Sequence, residues 1–144
     1  MAQKLNYVKL TRPLNAVAAG VSVQNGTGVD TTDFEGVLFV FAMGALSATQ
    51  VTSLKAQQSL DDGGTDPYAD ITGAVTAAAA DADSNKLLVL DVYRPQKKFV
   101  RPVATRGTAN AVIDGVIAIL YGPKKAPTSQ SATFVSQSKA ALGV

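Results

Sequence analysis

The sequence has no cysteine, no histidine and no tryptophan, and each absence closes off some chemistry. Without cysteine there are no disulfides, thiolate metal sites or thiol nucleophiles. Without histidine the Ser-His-Asp and Cys-His arrangements go, along with imidazole proton shuttles and nearly all transition-metal sites. Carboxylate-only, lysine or Ser-Lys chemistry is left. Without tryptophan, a sugar-stacking platform would rest on Tyr7, Tyr68, Tyr93 or Tyr121. Long apolar runs are missing too. The longest, residues 37–46, falls far short of the roughly 18–20 residues that a bilayer-crossing helix needs. The apolar stretch at 14–23 is broken by Asn15 and Ser22 and has no basic run before a clean hydrophobic centre. These absences predict a soluble protein made in a cytoplasm, with no enzymatic activity, no cofactor and no membrane partner.

What is present is enough for one domain. A chain of 144 residues removes roughly 68–70% of its unfolded surface from water on folding, so it needs no staples. The net charge of +2 is unevenly placed. Residues 1–85 carry four basic and nine acidic side chains, and residues 86–144 carry nine basic and two acidic ones. Such a split either lets copies dock negative face to positive face or is cancelled when strand order mixes the two halves.

Short β-rich runs separated by Gly, Asp, Asn and Pro clusters dominate, the pattern of an all-β chain. Strands are expected over 5–10, 17–23 and, briefly, 29–32. Between the last two, Asn25-Gly26-Thr27-Gly28 reads as a turn, because Asn and Gly tolerate positive φ. The run GVLFVFAM at 36–43 is apolar on both alternations, which predicts a central strand covered on both faces. Residues 52–60 alternate: Leu54, Ala56 and Leu60 share one side, Ser53, Lys55, Gln57 and Ser59 the other. Residues 61–67 are a loop. The alanine-rich 72–83 has helix propensity but is too short to be stable alone, so a loop with one helical turn serves equally. Three more strands follow at 86–93, 97–105 and 111–121. Their short links predict antiparallel hairpins, since parallel neighbours need a long crossover. Beyond Pro123 the chain turns rich in Ser, Ala, Thr, Gln and Lys. Such a segment is either frayed or ordered on a neighbour.

The expected fold is therefore all-β, an antiparallel β-sandwich or jelly-roll-like barrel with extended N- and C-terminal arms. Residues 1–12 form the N-terminal arm or edge strand, 13–123 the sandwich and 124–144 the C-terminal arm. Both arms carry candidate contacts with neighbours: Leu5, Tyr7 and Val8, with strand addition as the mode, and Phe134 and Val135.

Few motifs carry chemistry. Asp81-Ala82-Asp83-Ser84-Asn85 opens like a calcium loop, but Lys86 replaces the turn glycine and Val92 stands where a bidentate glutamate belongs. Asp61, Asp62 and Asp66 lie near Gly63-Gly64, in residue types that any tight turn selects. Gly26-Thr27-Gly28 lacks the third glycine and the helix of a dinucleotide fingerprint. Ser53 and Lys55 have nothing to desolvate the lysine. Arg94, Lys97, Lys98 and Arg101 put four cations in eight residues. Phe99 would point away from Lys98, so no base-stacking platform forms and no nucleic-acid partner is expected. A solvated or subunit-facing patch is the reading for these four residues.

Several segments together carry a resemblance: Asp33-Phe34-Glu35-Gly36-Val37-Leu38-Phe39, then Leu54-Lys55-Ala56-Gln57-Gln58-Ser59-Leu60-Asp61-Asp62-Gly63 and Tyr68-Ala69-Asp70-Ile71. Lys98-Phe99-Val100-Arg101-Pro102-Val103-Ala104-Thr105 and the closing Tyr121-Gly122-Pro123-Lys124-Lys125-Ala126-Pro127 complete it. Over about two-thirds of its length the chain resembles the capsid decoration, or cement, proteins of tailed bacteriophages. The resemblance implies a β-folded, often homotrimeric virion protein that binds the major capsid protein on the outside of the shell and braces it against packaged DNA. A head-completion or tail-tube subunit is the alternative within that class, separable by copy number per particle. A carbohydrate-binding β-sandwich for host attachment is the alternative outside it.

Overall fold

The computed structural model describes residues 3–136, 138 and 140. Ten strands follow one another: β1 (Val8–Leu14), β2 (Val17–Gly20), β3 (Gln24–Asn25), β4 (Val29–Asp30), β5 (Gly36–Leu46), β6 (Ser53–Ser59), β7 (Ala69–Val75), β8 (Leu87–Tyr93), β9 (Phe99–Thr105) and β10 (Ala111–Tyr121). Two single 3-10 turns, Lys4–Asn6 and Asp81–Asp83, are the only helical elements among the described residues. The expected all-β sandwich is what forms. The first sheet runs β1-β10-β5-β8, and β2 continues the line of β1 along the same edge of β10. The second runs β3-β9-β6-β7, with β4 continuing β3 along β9. Every strand pairing is antiparallel.

The core lies between the sheets and follows from period-2 alternation. Val37, Phe39, Phe41 and Met43 of β5 point inward, as do Ile113, Val116, Ala118 and Leu120 of β10, all of them buried. Leu54 and Ala56 of β6 and Val100 and Ala104 of β9 meet them from the other sheet. Burying each of the two phenylalanines is worth roughly 1.5–3 kcal/mol.

Four expectations need correcting. Residues 94–98 and 106–110 do not close hairpins: β8 and β10 lie in the first sheet and β9 in the second. Five residues reach roughly 16 Å, enough to cross the ~10 Å between packed sheets. Among consecutive strands only β6 and β7 pair with each other. Asn25-Gly26 is not a turn but continues β3 along β9, where the Gly26 amide donates to the Pro102 carbonyl at 2.8 Å. The glycine is there for closeness, since a Cβ would lie 2.7 Å from the Pro102 ring. The alanine-rich 72–83 gives its first residues to β7 and keeps only the Asp81–Asp83 turn. Leu60 is exposed and Ser59 buried. Ser59 Oγ accepts from the Gly63 amide and donates to the Asp66 carbonyl, tying the loop to the strand end.

Arg106 holds the crossing of the chain between the two sheets. Its side chain is buried with no carboxylate partner among the described residues and donates to three carbonyls: Ser22 at 2.8 Å, Ala18 at 2.9 Å and Ala111 at 2.7 Å. These bonds pin β2 and the segment leaving it against the start of β10. Replacing Arg106 with Met keeps the length of the side chain and strands the carbonyls, each worth about 1–3 kcal/mol when buried and unpaired. Urea unfolding of Arg106→Met is expected to show a loss of about 3 kcal/mol; an unchanged midpoint contradicts this role.

Candidate functional site

The sandwich presents two outer faces of opposite character. On the second sheet the outward residues of β6, β7 and β9 form a polar network. Lys55 pairs with Asp70 at 2.9 Å, and Gln57 Nε2 donates to Asp70 at 2.7 Å. Gln57 Oε1 accepts two bonds from the Arg101 guanidinium, at 2.9 and 2.7 Å. The same guanidinium lies over the Tyr68 ring, 4.2 Å from its centroid. Burial, and then the bond to Asp62, push the Tyr68 hydroxyl well above its usual range. Below it, Asp61 accepts bonds from the Thr65 hydroxyl, the Thr65 amide and the Asp66 amide, which hold its carboxyl far below the ordinary value. A tight loop made by its own acids is the result, as the turn reading of Asp61, Asp62 and Asp66 expects.

The expected basic cluster is dispersed by its partners. Lys97 pairs with Asp66 at 2.8 Å, Lys98 with Asp30 at 3.7 Å, and Arg101 is held by Gln57 and Tyr68. Arg94, at φ 51°, has its guanidinium 5.2 Å from the Tyr93 ring centroid. Neither Arg94 nor Arg101 has a carboxylate partner among the described residues, and Arg94 alone of the four has no side-chain hydrogen bond or ion pair there. Four of the five ion pairs among the described residues join a base from residues 86–144 to an acid from residues 1–85. The fold thus mixes the oppositely charged halves. Asp81 accepts from the Thr49 amide and Asp83 from the Ala80 amide and the Lys86 ammonium. Among the described residues no cluster of three or more carboxylates could hold a metal ion, and no helix is long and apolar enough to cross a membrane.

The first sheet is different. With Val37, Phe39, Phe41 and Met43 turned inward, β5 turns Leu38 and Val40 outward, both half-buried. Register sets Ile119 beside Leu38 and Leu10 beside Ile119. It sets Ile117 and Val89 on either side of Val40. Val89 is 50% exposed, Ile117 47% and Leu87, beside Ala42, 58%. The second covering that both-sided apolarity predicts is not supplied by any described part of this chain. No protein-family model matches the chain, and no curated protein matches it either. The surface must therefore be read from its own chemistry. At one end Tyr121 lies across Gly36; its hydroxyl, raised above its usual range by burial and then by Asp91, donates to that carboxylate. At the β1 side Leu10, Arg12, Ile117 and Phe134 line an open hollow of about 210 Å³.

Phe134 reaches that hollow because the C-terminal segment runs beside β1. Thr128 Oγ1 donates to the Val8 carbonyl at 2.6 Å, and Gln130 Nε2 to the same carbonyl at 2.9 Å. Gln130 Oε1 accepts the Leu10 amide at 2.9 Å, and Ser131 Oγ donates to the Leu10 carbonyl at 2.9 Å. Side chains here do what a neighbouring strand would do, and blunt an edge that would otherwise recruit one. Of the expected contact residues, Leu5 and Val8 are half-buried beside this segment. Tyr7 is 43% exposed and Val135 wholly exposed. Residues 137, 139 and 141–144 of the expected C-terminal arm lie outside the described residues.

Two outcomes follow. In Gln130→Ala the Leu10 amide is expected to exchange with deuterium about five- to tenfold faster, as loss of roughly one net hydrogen bond requires, with β10 amides unchanged; equal protection would refute the pinning. The second outcome concerns acid. Asp66, held down by the Lys97 ammonium, and Asp70, held down by Gln57 and Lys55, join Asp61 in having lowered pKa values. Carboxylates lowered in the fold stabilise it fully above their unfolded value near 4, and that contribution is lost as pH falls through their folded values. Urea midpoints should drop between pH 5 and pH 2, less steeply in Asp66→Asn, and a flat profile would be the contrary result.

Proposed function

We propose that this protein is a non-enzymatic structural subunit that works by association, and that it decorates the outside of a tailed-bacteriophage head by binding the major capsid protein. The observation that carries the reading is the uncovered apolar outer face of the first sheet. An apolar surface of several hundred Å² on a small domain marks an interaction site. The strand connectivity supports the same class. If β1 with β2, and β3 with β4, are each counted as one interrupted edge strand, eight strands remain, in the orders 1-8-3-6 and 2-7-4-5. We read this as a jelly roll, an architecture found among capsid proteins.

In this reading many weak contacts, engaged together on a shell, give an avidity that no single contact supplies. Tyr7 and Val135, exposed beside the pinned termini, are the proposed points of grip on the shell, with Leu5, Val8 and Phe134 behind them. Arg94 is the one member of the basic cluster whose side chain has no hydrogen bond or ion pair among the described residues, which leaves it free to meet a carboxylate there. Lys97, Lys98 and Arg101 would have to exchange partners to do so. Self-association belongs to the reading as well, with the homotrimer of the resemblance as one order and a twofold pair as the other.

Co-sedimentation with shells of the encoding phage, assembled without this protein, tests it. The chain is expected to pellet with the shells and to raise the temperature at which they break. Tyr7→Ala combined with Val135→Asp should weaken binding at least tenfold, the scale expected when exposed anchors at an interface are lost. Protein that stays in the supernatant at every concentration would end the proposal.

A further inference from the structure

Among the charges that border the apolar outer face of the first sheet, two on opposite edges bear on what fits it. Arg12 lies on the β1 side, beside the hollow that Leu10, Ile117 and Phe134 line. Its guanidinium donates to the Asp114 carbonyl at 3.3 Å and meets no carboxylate among the described residues. Asp91 lies on the β8 side, in the register row of Leu38, one row from Val89. It accepts a bond from the Tyr121 hydroxyl and has no cationic partner among the described residues.

We infer that the occupant of this face is a second copy of the same chain, packed sheet to sheet about a twofold axis running parallel to the strands. That axis keeps each row of the face at its own level and exchanges left for right. It therefore lays β8 of one copy over β1 of the other. Val89, half-exposed on its own molecule, then faces the hollow of its partner, and Asp91 comes within a side chain's reach of the partner's Arg12. Both contacts occur twice. A twofold axis across the strands would instead stack β8 on β8 and β1 on β1, leaving Arg12 and the partner's Asp91 on opposite edges, so the charges select one axis over the other. A face-to-face contact of this kind is isologous and closes at two; it does not build a three-fold ring.

The size of the face sets the strength. Four strands about 4.8 Å apart and roughly seven residues long cover about 20 by 20 Å. That is about half of the roughly 800 Å² per partner in a standard stable interface. Phe134 adds to it at the hollow. A reversible pair is the expectation, formed near 100 µM and dissociating on dilution toward 1 µM, as befits an interface at the small end of the range.

The inference rests on the reading of the molecule as an assembly subunit, yet its test needs no phage particle. Sedimentation velocity of the purified chain from 1 to 200 µM should show a rise from the 14.8 kDa protomer to twice that mass. Ile117→Asp should stay monomeric while keeping its thermal midpoint within a few degrees. Asp91→Arg and Arg12→Asp should each weaken the pair at least tenfold, and the double variant should regain it to within about threefold, the signature of directly paired charges. A monomer throughout, a trimer, or a dimer indifferent to Ile117→Asp would each overturn the inference. If the chain is monomeric and Ile117→Asp abolishes shell binding, the face belongs to the capsid, and the proposed function survives without the pair. If the chain pairs but never pellets with shells, the inference stands and the capsid reading falls.

Discussion

The pairing of β5 with β10 is the constraint on which the rest depends. These two eleven-residue strands run together from Gly36 and Tyr121 to Leu46 and Ala111. Their inward alternation supplies most of the largest core side chains, Phe39, Phe41, Met43, Ile113 and Leu120. Every other strand of the first sheet is attached to one of them. The second sheet closes over that inward row with Leu54 and with smaller residues, Ala56, Val100 and Ala104, so the two layers differ in role. One supplies bulk to the core, and the other supplies a lid whose outside can be given over to polar networks.

The price of a pair that is apolar on both alternations is an outer surface that water does not favour. The chain covers some of it locally: Tyr121 lies across Gly36, and the segment carrying Phe134 reaches the hollow beside Ile117. Centrally, around Val40, Ile117 and Val89, it does not. The same strand pair thus fixes the interior and leaves an apolar surface that no described part of the chain covers. Edges receive the opposite treatment. On β1, Thr128, Gln130 and Ser131 take up main-chain groups that a foreign strand would otherwise pair with. Association through faces is left open, and association through that edge is hindered.

Strand positions were legible where alternation was strong: 36–43, 52–60 and 111–121 all lie in strands close to the expected limits. Connectivity was less legible, because links such as 94–98 and 106–110 are equally compatible with a hairpin and with a step between sheets. Length alone does not separate the two, and the bonds that decide come from distant residues such as Ser22 and Ala18, which Arg106 holds. The Ser, Thr and Gln content beyond residue 124 was readable as solvation. Only the free edge of β1 gives those side chains their partners. For the candidate site, the signal was present but assigned to burial. A strand apolar on both sides reads as covered on both sides, and a single sequence cannot say whether the cover comes from its own chain or from another.

That ambiguity is physical, since burial within a fold and burial between molecules draw on the same apolar area and the same side chains. What separates them is charge at the border. A face buried by its own chain has no need of unpaired ions at its rim. The second sheet shows that ions within this fold do find partners: Lys97 has Asp66, Lys98 has Asp30 and Lys55 has Asp70. Around the first sheet Arg12 and Asp91 stand apart on opposite edges, without a counter-ion among the described residues, on either side of a row of half-exposed aliphatic side chains. The twofold pairing inferred above would give Arg12 and Asp91 the counter-ions that the described part of their own chain does not supply.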